Sequence, residues 1–421
     1  MVFTGFMKSI LALVIAIVVV NQSIFFSTMG LLGVDYEGSD SSSVYVIYLI
    51  SLFMFVLVSY LLTFIKVGVV RGEGMVLSII FFFIATHFLW VIFDSSKTEL
   101  LPMFMIHSFV LGFSGLLAAA VMVKLKVVGE VVKVLEVLFV IQAIGILIYS
   151  VLSTLSGAKV ASLAGANYQT LSYFSSFTMG MLLVYGFILP SGLRFSFARN
   201  LVYKVFLYSL IIGCAVGVLV GGGRGAFILM LLYLAFGVYN LSKFGGKASA
   251  KKVIMQMTRL LVLCSGVVVF LTLFSDKEFI QQGFDRATQF ISSDGSIDLH
   301  RGSSGRDRVY VDSLDYIMEQ PILGYGPFGV RDKSIHAHNF FLEVWLQFGI
   351  FAIFALPLIF FALFKKMKIL GRPFRVWGWF LALYPLILIQ FSGSYLAQPS
   401  LWFFIGMVVL SANKDRFQAS A

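Results

Sequence analysis

Twelve long apolar runs, nearly free of charge, constrain this chain more than any motif in it. They cover 9–28, 44–65, 75–93, 101–123, 131–153, 170–189, 201–220, 225–241, 257–275, 340–364, 376–392 and 398–411. An apolar stretch of about 20 residues matches the hydrocarbon thickness of a bilayer when it is helical. Of the 421 residues, 59% are hydrophobic and 12% are charged, and a soluble protein of this size cannot hide that much apolar surface. The sequence therefore predicts an all-α, polytopic membrane protein of about twelve transmembrane helices. The first run follows Lys8 in the manner of a signal peptide. It is too long for a typical h-region and has no A-x-A-like cleavage site, so it reads as a retained helix.

The net charge of +11 raises the question of nucleic acid, but the placement of the charge argues against it. Lys66 and Arg71, Lys124, Lys126 and Lys133, Arg194 and Arg199, Lys243 to Lys252, and Lys365 to Arg375 fill every second short loop. The alternating loops are acid-rich, with Asp35, Glu37, Asp40, Asp94 and Glu99. By the positive-inside rule both termini are cytoplasmic and the long loop lies outside. Three units follow: helices 1–9 over 1–275, the external loop over 276–338, and helices 10–12 over 339–421. Cys214 and Cys264 both lie inside apolar runs and read as buried residues without a disulfide framework.

The most polar long stretch runs from Ser303 to Gly349. Ser304-Gly305-Arg306-Asp307 fits an S-x-x-D capping pattern, and Val309/Tyr310, Ser313/Leu314 and Ile317/Met318 recur at helical spacing. These predict an amphipathic helix of about four turns, ended by Pro321. Gly324-Tyr325-Gly326-Pro327 is a turn cluster. Asn339 is placed to cap the tenth helix.

Three groups of residues can carry chemistry. Arg224 follows three glycines and opens the eighth helix, where free N–H groups and a guanidinium suit a phosphate or diphosphate. The same arginine also reads as an interfacial residue at a tight turn. His338 can accept a proton near neutral pH, as can His336, or either can simply bond a loop carbonyl. Arg301, Arg306 and Arg308, with Arg331 and Lys333, form a basic group among Asp307, Asp312, Asp315 and Asp332; they attract anions or form ordinary surface pairs. Glu343 lies one turn into the tenth helix, where it orients the histidine, meets sugar, or serves the helix start. Ion-coupled transport places ionisable groups near mid-membrane, and Glu136, near the end of its run, is the clearest acidic residue in any of them. No metal-ligand spacing stands out.

GGGRGAF at 221–227, SSGRDRVY at 303–310, PILGYGPFG at 321–329 and HAHNFFLEVWLQFGI at 336–350, in this order and topology, resemble the bacterial O-antigen polymerase and O-antigen ligase superfamily. GANYQT at 165–170 is similar to a further family element, with Asn167 as its asparagine. The resemblance implies a multi-span glycosyltransferase of the inner membrane, acting at its periplasmic face without a cofactor or metal. Its donor would be a glycan on undecaprenyl diphosphate. Its acceptor would be a second lipid-linked repeat unit for a polymerase or lipid A-core for a ligase. A chain-length regulator is a further implied partner. By the same resemblance Arg224 and Arg306 bind the diphosphate and His338 is the base; Arg301, His336, Asn167, Asn339 and Glu343 are further candidates for contacting substrate. The Ser-Gly-Arg-led helix and Gly-Tyr-Gly turn look more like a polymerase. A transporter or flippase for the same lipid-linked glycan is a reading of another class.

Overall fold

The structure is a computed structural model. It describes residues 5–32, 39–155, 163, 168–195, 200–244, 281, 285, 306–329, 337–413 and 417. The ninth apolar run, 257–275, lies outside these residues, as do Asn167, Arg301, Ser304, Arg331, Lys333 and His336.

Each of the other eleven runs is helical. In chain order the helices are α1 (Gly5–Val19), α2 (Asn21–Leu31), α3 (Ser39–Val67), α4 (Glu73–Phe93), α5 (Ser95–Leu125), α6 (Val128–Leu155), α7 (Tyr168–Leu183), α8 (Leu201–Gly221), α9 (Arg224–Phe244), α10 (Arg306–Glu319), α11 (Phe340–Met367), α12 (Arg372–Phe391) and α13 (Pro399–Val409). Eight are long and apolar enough to cross a membrane, and this is an integral membrane protein. The α9 and α13 apolar stretches are shorter than the usual span.

The first run differs from expectation: it is two helices, not one. The chain bends by 92° between α1 and α2. The break falls at Val20, immediately before Asn21-Gln22-Ser23, a polar interruption in an otherwise apolar run. The Tyr48 hydroxyl donates to the Asn21 carbonyl at 3.3 Å, which satisfies one main-chain group at the bend.

Helix α7 sits at the centre, buried along almost its whole length, while α3, α4 and α11 keep most of their apolar side chains at the periphery. Phe81, Ile92, Phe354 and Leu358 are exposed there, as lipid-facing residues should be. Small residues bring helices close. A Cβ on Gly115 or Gly406 would meet α13 or α5, and one on Gly217 would meet Ser175 of α7.

The bundle has two chemically different ends. At one, Glu73 and Lys124 form a fully buried ion pair at 2.6 Å. Its remaining bonds are filled by the Tyr60 hydroxyl, the Val70 amide and the Gly68 carbonyl, each within 2.8 Å. A second buried carboxylate, Glu136, accepts from Tyr203 at 2.9 Å and from the Phe195 amide at 2.6 Å, with Arg194 at 3.8 Å. Full hydrogen bonding is what makes a buried pair tolerable. The opposite end gathers Arg224, α10, the Gly-Tyr-Gly turn and the start of α11.

Candidate active site

Arg224 is positioned by glycines. Helix α8 stops where Gly222 takes a left-handed φ of 63°, its amide bonded to Leu219 at 3.1 Å and Val218 at 3.2 Å. The Gly223 amide donates to Ser172 Oγ at 2.9 Å, and that hydroxyl donates to the Val218 carbonyl at 3.2 Å. A Cβ on Gly223 would crowd Ser172, and one on Gly225 would strike the Tyr173 hydroxyl. The run is therefore glycine because it lies flat against α7. Arg224 emerges half-buried as the first residue of α9, at the positive end of a helix dipole.

Arg306 has a parallel placement. It is the first residue of α10, half-buried, and its charge acts on the same Tyr173 hydroxyl. Two arginines thus each open a helix, and Gly225, beside the first of them, packs against the Tyr173 phenol. Arg308 is exposed.

A strap of main-chain bonds fixes α10 to α11. Helix α11 is interrupted at Gly349, with φ 70° and ψ −169°. The carbonyls freed by that break receive the turn: the Tyr325 amide donates to Leu346 at 2.7 Å and the Gly326 amide to Gln347 at 2.9 Å. In return the Ile350 amide donates to the Pro321 carbonyl at 2.9 Å. The Tyr325 hydroxyl donates to Glu319 at 2.9 Å; burial and that carboxylate push the phenol up to about 12. Beyond the turn, Lys97 Nζ donates to the Gly329 carbonyl at 2.6 Å, and the Phe328 ring centre lies 5.5 Å from that of His107.

His338 immediately precedes the α11 cap. Asn339 Oδ1 accepts from the Phe341 and Leu342 amides at 3.0 and 3.2 Å, the expected capping geometry. His338 itself is half-buried with a left-handed φ of 47°, a conformation rare outside glycine. Glu343 is buried and does not sit at an exposed helix start. Its Oε1 accepts from Ser394 Oγ at 2.5 Å and from Gln347 Nε2 at 3.3 Å, while Tyr395 donates to Gln347 at 2.6 Å.

A cavity of about 420 Å³ opens between the start of α7 and the turn that precedes α13. Tyr173, Ser394, Gln22, Gln398 and His107 are in its wall. Arg224, Arg306 and His338 are not among its lining residues; Gly225, next to Arg224, packs against Tyr173 of the wall, and His338 precedes the helix whose Glu343 bonds Ser394 of the wall. Motif reading found the residues on loops and missed the wall. Gln22 was signalled only by Asn-Gln-Ser inside an apolar run, and His107 only by being polar within one. His107 projects from a π-helical stretch, Met105–Phe113, a distortion often found at functional sites.

No curated protein matches the chain. Residues 208–357, the stretch that carries Arg224, Arg306, the strap, His338, Asn339 and Glu343, match the family model described as O-antigen ligase, which supports the resemblance to the O-antigen polymerase and ligase superfamily.

Proposed function

We propose that this protein is an inner-membrane glycosyltransferase that takes a glycan from undecaprenyl diphosphate at the periplasmic face and passes it to a second lipid-linked repeat unit. The observation that carries the reading is that Arg224 and Arg306 each open a helix, while Tyr173, which packs against Gly225 and lies in the field of Arg306, forms part of the wall of a cavity. Two guanidiniums at positive helix ends suit a diphosphate, and they stabilise the charge that builds as it departs. The acceptor hydroxyl attacks the anomeric carbon from the opposite face while the bond to the diphosphate breaks. His338 takes the hydroxyl proton, so the products are an inverted glycosidic bond, undecaprenyl diphosphate and an imidazolium that later returns its proton to water. The left-handed backbone at His338 supports the assignment, because strained conformations persist where the surroundings hold them for a purpose.

A ligase reading, with lipid A-core as acceptor, is favoured by the description of the matched family. The two are separated by incubating the protein in lipid with undecaprenyl-diphosphate-linked repeat units, with and without lipid A-core, and sizing the products. A ladder on the carrier without lipid A-core supports the polymerase. Glycan found only on lipid A-core establishes the ligase.

A further inference from the structure

Helix α10 has three faces. Ser313 and Ile317 are buried, and Ile317 packs with Tyr325 and with Leu346 of α11. Arg308, Asp315 and Glu319 form an exposed charged stripe at helical spacing. A second exposed stripe is apolar: Val311, Leu314 and Met318, continued past the helix by Ile322 and Leu323. Met318 is 76% exposed, Ile322 57% and Leu323 67%. Single apolar side chains are at home in water, but a continuous row of them calls for a cover.

The neighbours of the turn identify that cover. The Ile350 amide donates to the Pro321 carbonyl at 2.9 Å, and Trp345 Nε1 donates to the same carbonyl at 3.4 Å. On the other side Gly326, with a left-handed φ of 79°, lies flat against the Trp90 indole of α4, which a Cβ would strike. Its depth can be counted along both helices. From the exposed Lys365 to Gly349, α11 rises about 24 Å, and from Glu73 to Trp90, α4 rises about 26 Å. The two counts start at the same end of the bundle, because Lys366 Nζ reaches Met75 Sδ at 3.5 Å. The apolar core of a bilayer is about 30 Å thick, so two helices independently set the turn just inside its boundary. At this level α11 exposes Phe351, and α4 exposes Ile92 and Phe93, among the outward apolar side chains of the periphery. Trp90 and Trp345 flank the turn, and tryptophan gathers where hydrocarbon meets head groups.

We propose that Leu314, Met318, Ile322 and Leu323 are covered by the acyl chains of membrane lipid. Helix α10 then lies in the membrane interface, with its apolar stripe toward hydrocarbon and Arg308, Asp315 and Glu319 toward water. The surface fits a bilayer better than a folded partner. It is narrow, and it continues at one depth into the outward apolar faces of α4 and α11. The strap fixes α10 to α11, and lipid covers the side that the strap leaves open. This contact is independent of the glycosyltransferase reading and is tested without any glycan.

The test uses the full chain in phospholipid vesicles, in a Cys214→Ala, Cys264→Ala background. A nitroxide is attached in Met318→Cys, in Leu323→Cys or, as the water-facing control, in Asp315→Cys. Collision with oxygen, which concentrates in hydrocarbon, is compared with collision with a water-soluble nickel chelate. The ratio of oxygen to chelate collisions should be several-fold higher at the Met318 and Leu323 positions than at Asp315. Equal ratios at the three positions put the stripe in water and overturn the proposal. Protection from both reagents at Met318 and Leu323 means that a second copy or another protein covers the stripe, and this overturns it as well. Met318 lies on α10 and Leu323 on the turn after it, so if one labelled variant fails to fold, as judged by size-exclusion chromatography, the other decides.

Discussion

At the scale of single residues, the candidate site asks different things of its charged groups. In the proposed reaction His338 accepts a proton, and alanine cannot. His338→Ala should lower transfer by at least about 100-fold while the protein still inserts and purifies, as checked by product gels and size-exclusion chromatography. Normal product from that variant would remove the base assignment. Arg224 is asked for a planar fork at a helix start. Arg224→Lys keeps the charge and loses the fork, so transfer should fall about tenfold or more. Full activity would return the residue to an interfacial role. As candidates these residues were legible in the sequence because each stands beside its own local signal: glycines before Arg224, Asn339 after His338. Glu343 was only half legible. Its position near a helix start was plain, but its bonds go to Ser394, more than 50 residues away along the chain, and to Gln347. No local pattern announces such a contact.

At the scale of elements, apolar runs told where helices would be and not where they would break. The tenth run reads as one continuous helix, yet Gly349 interrupts it, because the Gly-Tyr-Gly turn supplies amides that compensate the carbonyls the break frees. Hydropathy carries no trace of that exchange. A conformation with φ 70° and ψ −169° is close to glycine-only, and a Cβ there would meet the Ile322 carbonyl. Gly349→Ala should therefore cost about 1–3 kcal/mol, lower Tm in detergent, and speed amide exchange at Tyr325 and Gly326. Unaltered exchange at those two amides would mean that the strap does not depend on the break. The amphipathic α10 was legible from its spacing, and its observed span, Arg306–Glu319, is close to the four turns expected. The bend at Val20 follows from three polar residues whose use becomes visible only with the cavity in place.

At the scale of the whole molecule, the two ends are built on opposite terms. At one end the Glu73–Lys124 pair is fully buried and fully hydrogen-bonded. Lys124→Ala would leave a carboxylate buried without its cation and should destabilise the protein by about 3–5 kcal/mol, seen as a large fall in Tm. A loss no larger than that of an exposed lysine would show the pair to be dispensable. The opposite end is open, glycine-rich and hollow. Its strap joins amides to carbonyls; every residue possesses the carbonyl and every residue but proline the amide N–H. Such a joint is indifferent to side-chain identity apart from its glycines. The exposed Met318, Ile322 and Leu323 beside it can therefore be exchanged without loosening the attachment of α10. The protein is in this sense modular under mutation: one region can drift to suit a new glycan or neighbour while the anchorage beneath it stays in register.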